Sequence, residues 1–534
     1  MKKKLNNILL LTLLVTGLSA CTKNWVDTKP NGEPTTAFFW QSDEDLEKAA
    51  AALYVPMRYE STWGRDLFWI QVASDDLVVG RVKAEAENIK NFIPSGREGY
   101  LTTAWNDLYW LVNKANQIIE GIPNAVNVTA SVRDRTLGEA YFMRGFAHFW
   151  IAYIWGHEDQ GVPFDGPELE GYGSRIPPQL ASVKDNYAQI VKDLEKAAEL
   201  LPFFESYDAA NRGRAHKAAA WAYMVKAYAY WAQFDQTKWE PVPALCDKIR
   251  TEGNRGLVTG MGSGAANYRA VFTIAQNWGS EYIWSVTSGV QGGSEFPGVI
   301  LENKGWGIYN GWGYFQPTEE LYDEYEANDP RREVTILKFG DKFTYFGVER
   351  DYFSTNSLSG FQINKYMEPY SYGADEDAGS NPNINPNGDY PTTRLNLPLI
   401  RYAEILLFKA EALINLNRAG EATAPLNEIR NRAGLGNIGV PTLEDLKHER
   451  RVELGCEWTD RLQDLKRWGD YDMINAPLHG RSHANSTDPA SPYTIKEIWP
   501  KRSFDPNRHM AWPINPDEIS RSNGKYKQTP GWPQ

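Results

Sequence analysis

Apolar residues recur at three- and four-residue spacing over Thr103–Gly121, Arg133–Trp155, Val183–Leu201 and Arg214–Phe234, the period of helices with one buried face. Helices of this length joined by turns predict antiparallel hairpins. In Ala218-Ala219-Ala220-Trp221-Ala222-Tyr223 the small residues let a neighbouring helix approach while the aromatics fill the gaps. The expected packing is tetratricopeptide-like, in a degenerate form, because no clean 34-residue repeat aligns. From about 241 to 398 the texture changes to Gly, Asn, Pro and aromatics, with short strand-like pieces at Tyr282–Val286 and Glu333–Phe339. Helical periodicity returns over about 399–475, and the tail, 476–534, is Pro-rich and irregular. The expected fold is mainly α: a helical scaffold (about 40–240 and 399–475) carrying a loop-rich insert, where binding residues are commonly placed.

The chain's beginning follows a different logic. Lys2, Lys3 and Lys4 precede an apolar run from Ile8 to Leu18, the pattern of a secretory signal peptide. About eleven apolar residues are too few to span a bilayer as a helix, which needs roughly twenty. Leu18-Ser19-Ala20-Cys21 then matches a bacterial lipobox, so residues 1–20 are expected to be removed and Cys21 acylated as the membrane anchor. Residues 21–36, with Pro30, Gly32 and Pro34, lack periodicity and read as a lipidated tether, leaving 37–534 as one domain.

Loss of residues 1–20 removes three Lys and takes the formal charge from −12 to −15. So acidic a chain is a poor nucleic-acid binder. Cys246 and Cys456, the cysteines left besides the anchor, are too few for a disulfide framework or a Cys-based metal site and read as buried free thiols.

Candidate chemistry concentrates in aromatics. Trp278, Trp284, Trp306, Tyr309, Trp312 and Tyr314 fall in the Gly-rich block, outside any amphipathic helix that could bury them as a stripe. Exposed aromatic planes can stack on the apolar faces of sugar rings while polar neighbours orient the hydroxyls. Core packing remains the competing reading for each ring taken singly. Glu404 and Glu411, two helical turns apart, could be read as a glycosidase acid and base. The abundant Arg residues nearby in sequence (Arg401, Arg430, Arg432, Arg450, Arg451) predict structural ion pairs instead. Asn383, Asn385, Asn387 and Gly388 imitate part of a calcium loop, but Arg394 stands where its bidentate Glu belongs. The seven His show no ligand spacing, so neither a metal nor another cofactor is expected.

Several ordered segments resemble the SusD/RagB family. They run from Cys21-Thr22-Lys23-Asn24-Trp25-Val26-Asp27 through Trp105-Asn106-Asp107-Leu108-Tyr109, Glu139-Ala140-Tyr141-Phe142-Met143-Arg144-Gly145 and Gly213-Arg214-Ala215. More specific are Asp329-Pro330-Arg331, Leu399-Ile400-Arg401-Tyr402-Ala403-Glu404, Leu426-Asn427-Glu428-Ile429-Arg430-Asn431-Arg432, Glu449-Arg450-Arg451-Val452-Glu453-Leu454 and Asp464-Leu465-Lys466-Arg467-Trp468-Gly469. One departure occurs at Cys456-Glu457-Trp458, where members usually carry Phe-Glu-Gly, and it reads as repacking. The resemblance implies a SusD-like fold and a non-catalytic, lipid-anchored protein of the outer membrane, facing the cell exterior. Such a protein captures oligosaccharides and delivers them to a SusC-like TonB-dependent transporter. RagB-type peptide binding, a surface glycosidase and a protein-recruiting tetratricopeptide scaffold stand as alternatives. The resemblance also adds Asp75, Asp76 and Arg81 as polar ligand contacts, since Asp and Arg suit bidentate bonds to vicinal hydroxyls.

The lipobox generates a direct test. Cys21→Ala is expected to abolish incorporation of a palmitate analogue and release soluble protein; label retained on the mutant would refute the anchor.

Overall fold

The structure is a computed structural model. It describes residues 39–533 except 168, 170–175, 289–295, 297–299, 301–312, 354–356, 374–392 and 460. The anchor Cys21 and the Asn383–Gly388 imitation of a calcium loop therefore lie outside the described residues.

Helix α1 spans Asp43–Leu53. Ser42 caps it by accepting from Asp45 N, and Asp43, Glu44 and Asp45 place negative charge where the helix dipole is positive. Helices α2 (Gly99–Gly121), α3 (Ala130–Trp155), α4 (Val183–Leu200), α5 (Lys217–Trp231) and α6 (Val242–Thr251) follow. Each packs on the next, the up-and-down stacking expected from the periodicity. Residues 139–155 of α3 are buried all round except Tyr141, because α1, α2 and α4 all pack against that helix. Close approach of α3 to α4 depends on Gly145, where a Cβ would sit 3.2 Å from atoms of Asp193 and Leu194.

The second helical layer comprises α7 (Tyr402–Asn415), α8 (Ala419–Arg432), α9 (Leu443–Leu454) and α10 (Arg461–Trp468). A capping box between Thr442 and Asp445 opens α9. Helix α7 contacts α5 and α6 on one side and α8 and α9 on another. It thereby joins the two halves of the chain.

Short antiparallel pairs stitch the rest together. Strand β1 (Leu77–Val79) pairs with β3 (Phe315–Pro317), and β2 (Tyr282–Val286) with β8 (Leu397–Arg401). Strand β4 (Ile336–Lys338) pairs with β7 (Phe361–Ile363), while β5 (Lys342–Tyr345) and β6 (Val348–Asp351) form a hairpin. The last pair is β9 (Leu478–His483) with β10 (Tyr493–Trp499).

Three expectations need correction. The 241–398 block opens with α6 and the helix Gly264–Val271, so the loop-rich part starts later than its composition indicates. Glu333–Phe339 is not one strand: Arg331–Thr335 is helical, and only Ile336–Lys338 pairs. The tail carries the β9–β10 hairpin, whose outer strand is largely exposed and so lacks the apolar alternation that marks a half-buried strand.

Buried charge organises the interior. Arg401 bonds Glu281 and Glu453 at 2.7 and 2.6 Å and Glu457 at 2.7 Å. Arg432 bonds Glu281 and Glu453, and Arg331 bonds Asp329, Glu449 and Glu453. Deeper along α9 and α10, Arg450 joins Asp464 and Glu404, while Arg467 joins Glu411 and Asp464. In the first half, Arg144 grips Asp193 and Asn116, and Arg214 reaches Glu139. Glu404 and Glu411 are thus ion-paired, as the neighbouring Arg residues predict. Cys456 and Glu457 form part of the same interior, with Glu457 also accepting from Lys365 at 2.6 Å. Both Cys246 and Cys456 are buried free thiols.

Burial pushes the Glu453 carboxyl up, but Arg432, Arg401 and Arg331 outweigh it and hold the group below the usual carboxylate range. Its folded pKa is thus depressed. The stabilisation is present above the unfolded value of about 4.3 and is lost as pH falls toward the folded one. Glu453→Gln is expected to cost about 3–5 kcal/mol in urea unfolding at pH 7, since it leaves buried guanidinium groups uncompensated. That deficit should shrink below about pH 4. A deficit that persists unchanged in acid would contradict the electrostatic account.

Candidate ligand-binding site

The β1–β3 ladder decides where the candidate residues meet. Leu77 pairs with Pro317, Val78 with Gln316 and Val79 with Phe315. Gly80 N then donates to Tyr314 O at 2.8 Å, continuing the ladder by one residue. No side chain fits at Gly80, where a Cβ would lie 2.1 Å from Gly313 O. The chain leaving β1 is thus pressed against the chain entering β3, immediately after the Trp306–Trp312 segment. Arg81 emerges there, exposed, with its guanidinium 5.7 Å from the Tyr314 ring centre. Lys83 stands at the same distance from that ring and 6.0 Å from Tyr100.

Beneath these cations lies an aromatic floor. Trp69 stacks on Tyr100 at 4.9 Å and meets Tyr314 at 5.0 Å. Beside it, Arg65 donates to Asp66 at 2.7 Å. Burial raises the Asp66 carboxyl to about 6 against the opposing pull of Arg65, so this edge of the floor changes charge in mildly acidic solution. The arrangement offers cationic hydrogen-bond donors on a rigid, ring-lined support, which suits a ligand rich in hydroxyl or acidic oxygens.

The predicted site residues separate on this map. Trp306, Tyr309 and Trp312 lie outside the described residues. The flanks of their segment are fixed: Ser288 N donates to Asn396 at 2.9 Å, and buried Phe296 packs on Phe68 and Trp458. Tyr314 is 3 % exposed and serves as floor, not as an open stacking plane. Trp284 is likewise core, 3 % exposed on the fully buried strand β2 and packed on Phe142 at 4.8 Å. Asp75 and Asp76 do not face outward. Asp75 pairs with Arg451 and Arg461 and Asp76 with Arg451, all at 2.8–2.9 Å, because the turn before β1 points these carboxylates into the α9–α10 interior. Their role is to hold the base of β1 and so the position of Arg81.

Trp278 occupies a different place. Half-buried, it lines a cavity of about 350 Å³ with Phe204, Tyr207, Arg212 and Asn254. Gly213 is needed there, since a Cβ would come within 2.7 Å of Thr287. Sequence reasoning missed Arg65, Asp66, Trp69, Lys83 and Tyr100. Adjacent opposite charges and isolated aromatics are too common to single out, and only tertiary contact groups them. Among the described residues, no cluster of His, Cys, Asp and Glu could hold a metal ion, and no helix is long and apolar enough to cross a membrane.

Comparison with known proteins covers both halves of the chain. Residues 280–532 match the family model described as the SusD family, and residues 24–229 match one described as starch-binding associating with outer membrane. SusD-like protein P2 of Formosa agariphila is 25% identical over 570 residues, spanning all of both chains. A SusD-like protein of Bacteroides ovatus is 24% identical over 88% of this chain and 83% of its own. Among solved structures, a SusD-like protein of Bacteroides fragilis superposes with a TM-score of 0.76 at 24% identity, covering 92% of this chain and 98% of that one. Surface glycan-binding protein A of Bacteroides thetaiotaomicron, in complex with laminarihexaose, gives 0.69 at 21% identity, covering 92% and 100%. These structures share the mainly helical, tetratricopeptide-like fold. With one model matching each half, in the order in which the resembling segments run, the chain belongs to the SusD/RagB family.

Proposed function

We propose that this protein is a lipid-anchored glycan-binding protein of the outer membrane, held through Cys21 and facing the cell exterior. In this reading it passes oligosaccharides to a SusC-like TonB-dependent transporter. The observation that carries the reading is the β1–β3 ladder, which sets exposed Arg81 beside Tyr314, two positions after Trp312 in the sequence. Aromatic planes on the Trp306–Trp312 segment would stack on sugar faces while Arg81 and Lys83 donate to ring hydroxyls. The relatives agree in kind: one carries laminarihexaose, and one matching family model is described as starch-binding.

The chemistry of the carboxylates favours binding over hydrolysis. A glycosidase needs two carboxyl groups facing a common cleft, one of them protonated. Glu404 and Glu411, the pair best spaced along one helix, are each 1 % exposed or less and held by guanidinium groups. They serve the interior.

Calorimetric titration with laminari-, malto- and xylo-oligosaccharides tests the reading. Trp306→Ala, Trp312→Ala and Arg81→Ala are each expected to weaken binding by about 1–2 kcal/mol, five- to thirtyfold, with little change in melting temperature. Trp284→Ala should do the reverse, costing about 3–5 kcal/mol of stability. A large fall in melting temperature with affinity kept in the Trp306 and Trp312 variants would overturn the assignment. So would binding of peptides in preference to every glycan.

Transfer to a transporter has its own readout. A large β-barrel is expected to co-purify with the protein from membranes dissolved in mild detergent, and its consistent absence would leave a free-standing binder.

A further inference from the structure

The cavity that Trp278 lines combines an open aromatic ring with a cation that nothing neutralises. It encloses about 350 Å³, inside the roughly 300–1,000 Å³ range of small-molecule pockets, and shares no lining residue with the face built around Arg81. One wall is locked from within. Arg255, 5 % exposed, donates from Nε to Gly253 O at 2.8 Å, pairs with the Glu205 carboxylate and lies 4.6 Å from the Phe204 ring centre. Phe204 is thus covered, and Ser280 Oγ, donating to Gly256 O at 3.1 Å, ties the same wall to the strand side.

The opposite wall is the turn that carries Arg212. Tyr207 Oη donates to Ala215 O at 2.8 Å and closes that turn. Inside it Arg214 Nε donates to Asn211 at 2.7 Å, and Arg214 is itself held by Glu47 and Glu139 at 2.6 and 3.1 Å. Gly213 lets the turn approach Trp278: a Cβ there would lie 2.7 Å from Thr287 and 3.7 Å from the Trp278 ring. Arg212 immediately precedes that glycine, so it is displayed at the cavity from a fixed mount.

The groups left over can all be reached. Trp278 is half-buried, in contrast to Trp284 and Tyr314 at 3 % exposed, and among the described residues no other ring or cation lies against it. Arg212 is exposed and has neither a hydrogen bond nor an ion pair among the described residues. Asn254, also exposed, makes one long contact of 3.5 Å to Glu205 through its N–H and leaves its side-chain oxygen open.

Charge then selects the ligand. Two guanidinium groups line the cavity against one carboxylate, Glu205, which Arg255 already pairs. Asp208, the acidic residue of the turn, is occupied in accepting from Asn211 N and Nδ2 at 3.1 and 2.9 Å. One positive charge stays uncompensated, on a chain whose formal charge is −12. A cationic ligand would be repelled by it, and a neutral ring would stack without using it. A ring with an acidic group at its edge satisfies both walls: its C–H face lies on Trp278, and its anionic oxygens take paired N–H bonds from the planar guanidinium fork.

We propose that the Trp278–Arg212 cavity binds an acidic sugar unit, a uronate or a sulfated monosaccharide. That the ring is a sugar rests on the glycan-binding reading above; that it is anionic rests on this cavity alone.

The test titrates the full-length protein calorimetrically with trigalacturonate and a sulfated galactotriose. Their neutral counterparts, the trimethyl ester and galactotriose, serve as controls, and a glutamate hexapeptide represents an acidic ligand that is not a sugar. At least one acidic sugar is expected to bind, and which of them does so separates carboxylate from sulfate. Arg212→Ala should weaken that binding by about tenfold, the loss of a charge-assisted bond, and leave the neutral counterparts unaffected. The melting temperature should not change, because Arg212 holds no other part of the fold. Trp278→Leu should weaken the acidic sugar by about fivefold through loss of the stacking plane. If that variant melts lower, the Arg212→Ala result still decides. Binding of neither acidic sugar, affinity indifferent to Arg212→Ala, an equal loss for the neutral counterparts, or tighter Arg212-dependent binding of the hexapeptide would each overturn the proposal. Neutral glycans bound with no response from the acidic ones would strike this site alone. Neutral glycans unbound with the Arg212 response intact would strike the Arg81 face alone.

Discussion

Everything in this molecule leans on the guanidinium groups buried around α9. That helix contributes Glu449, Arg450, Arg451 and Glu453 within five residues, all nearly inaccessible to water. Each reaches a partner from a different part of the chain: Arg331 before β4, Arg401 at the end of β8, Arg432 at the end of α8, Asp464 on α10, and Asp75 and Asp76 before β1. A buried charge left without its partner is costly, so these segments can assemble in few other ways. The network acts as a set of registration marks, which offers a physical reason for the concentration of the family-resembling segments at these positions.

The same network reaches the candidate ligand face. Asp75 and Asp76 are fixed from below by Arg451 and Arg461, and the carbonyls around them accept from buried Lys90 and Arg502. Strand β1 starts from that clamped turn, pairs with β3, and ends at Gly80 against Tyr314. Arg81 is therefore displayed on a rigid mount and not on a free loop, which reduces the ordering cost of binding. Residues that look like ligand contacts in one dimension turn out to support one.

Aromatic side chains are divided in the same manner. The chain is 13% Phe, Trp and Tyr. A large share of those rings builds the interior, as in the chain of contacts from Trp284 through Phe142 and Phe146 to Trp63. Large rings fill the space between helices that small residues allow to approach, while their edges and faces meet at favourable angles. Abundance of aromatics is thus weak evidence for a sugar platform by itself. Their placement beside cationic donors, as at Tyr314 with Arg81 and Lys83, carries more weight.

By itself, the sequence determined the helical scaffold, because amphipathic periodicity is a local property: α4 is predicted to within one residue, and α2, α3 and α5 to within a turn or so. Strand β2 was legible for a similar reason, being a short β-branched and aromatic run. The ion pairing of Glu404 and Glu411 could be read from the density of Arg nearby. Tertiary structure alone decided the facing of Trp284, Tyr314, Asp75 and Asp76, since strands this short and irregular carry no periodicity that distinguishes inside from outside. It alone revealed the β9–β10 hairpin, and it alone brought Arg81 to Tyr314. Those two lie more than two hundred residues apart, and contacts across such a separation are set by where the buried charges lock the chain, a choice that no local pattern records.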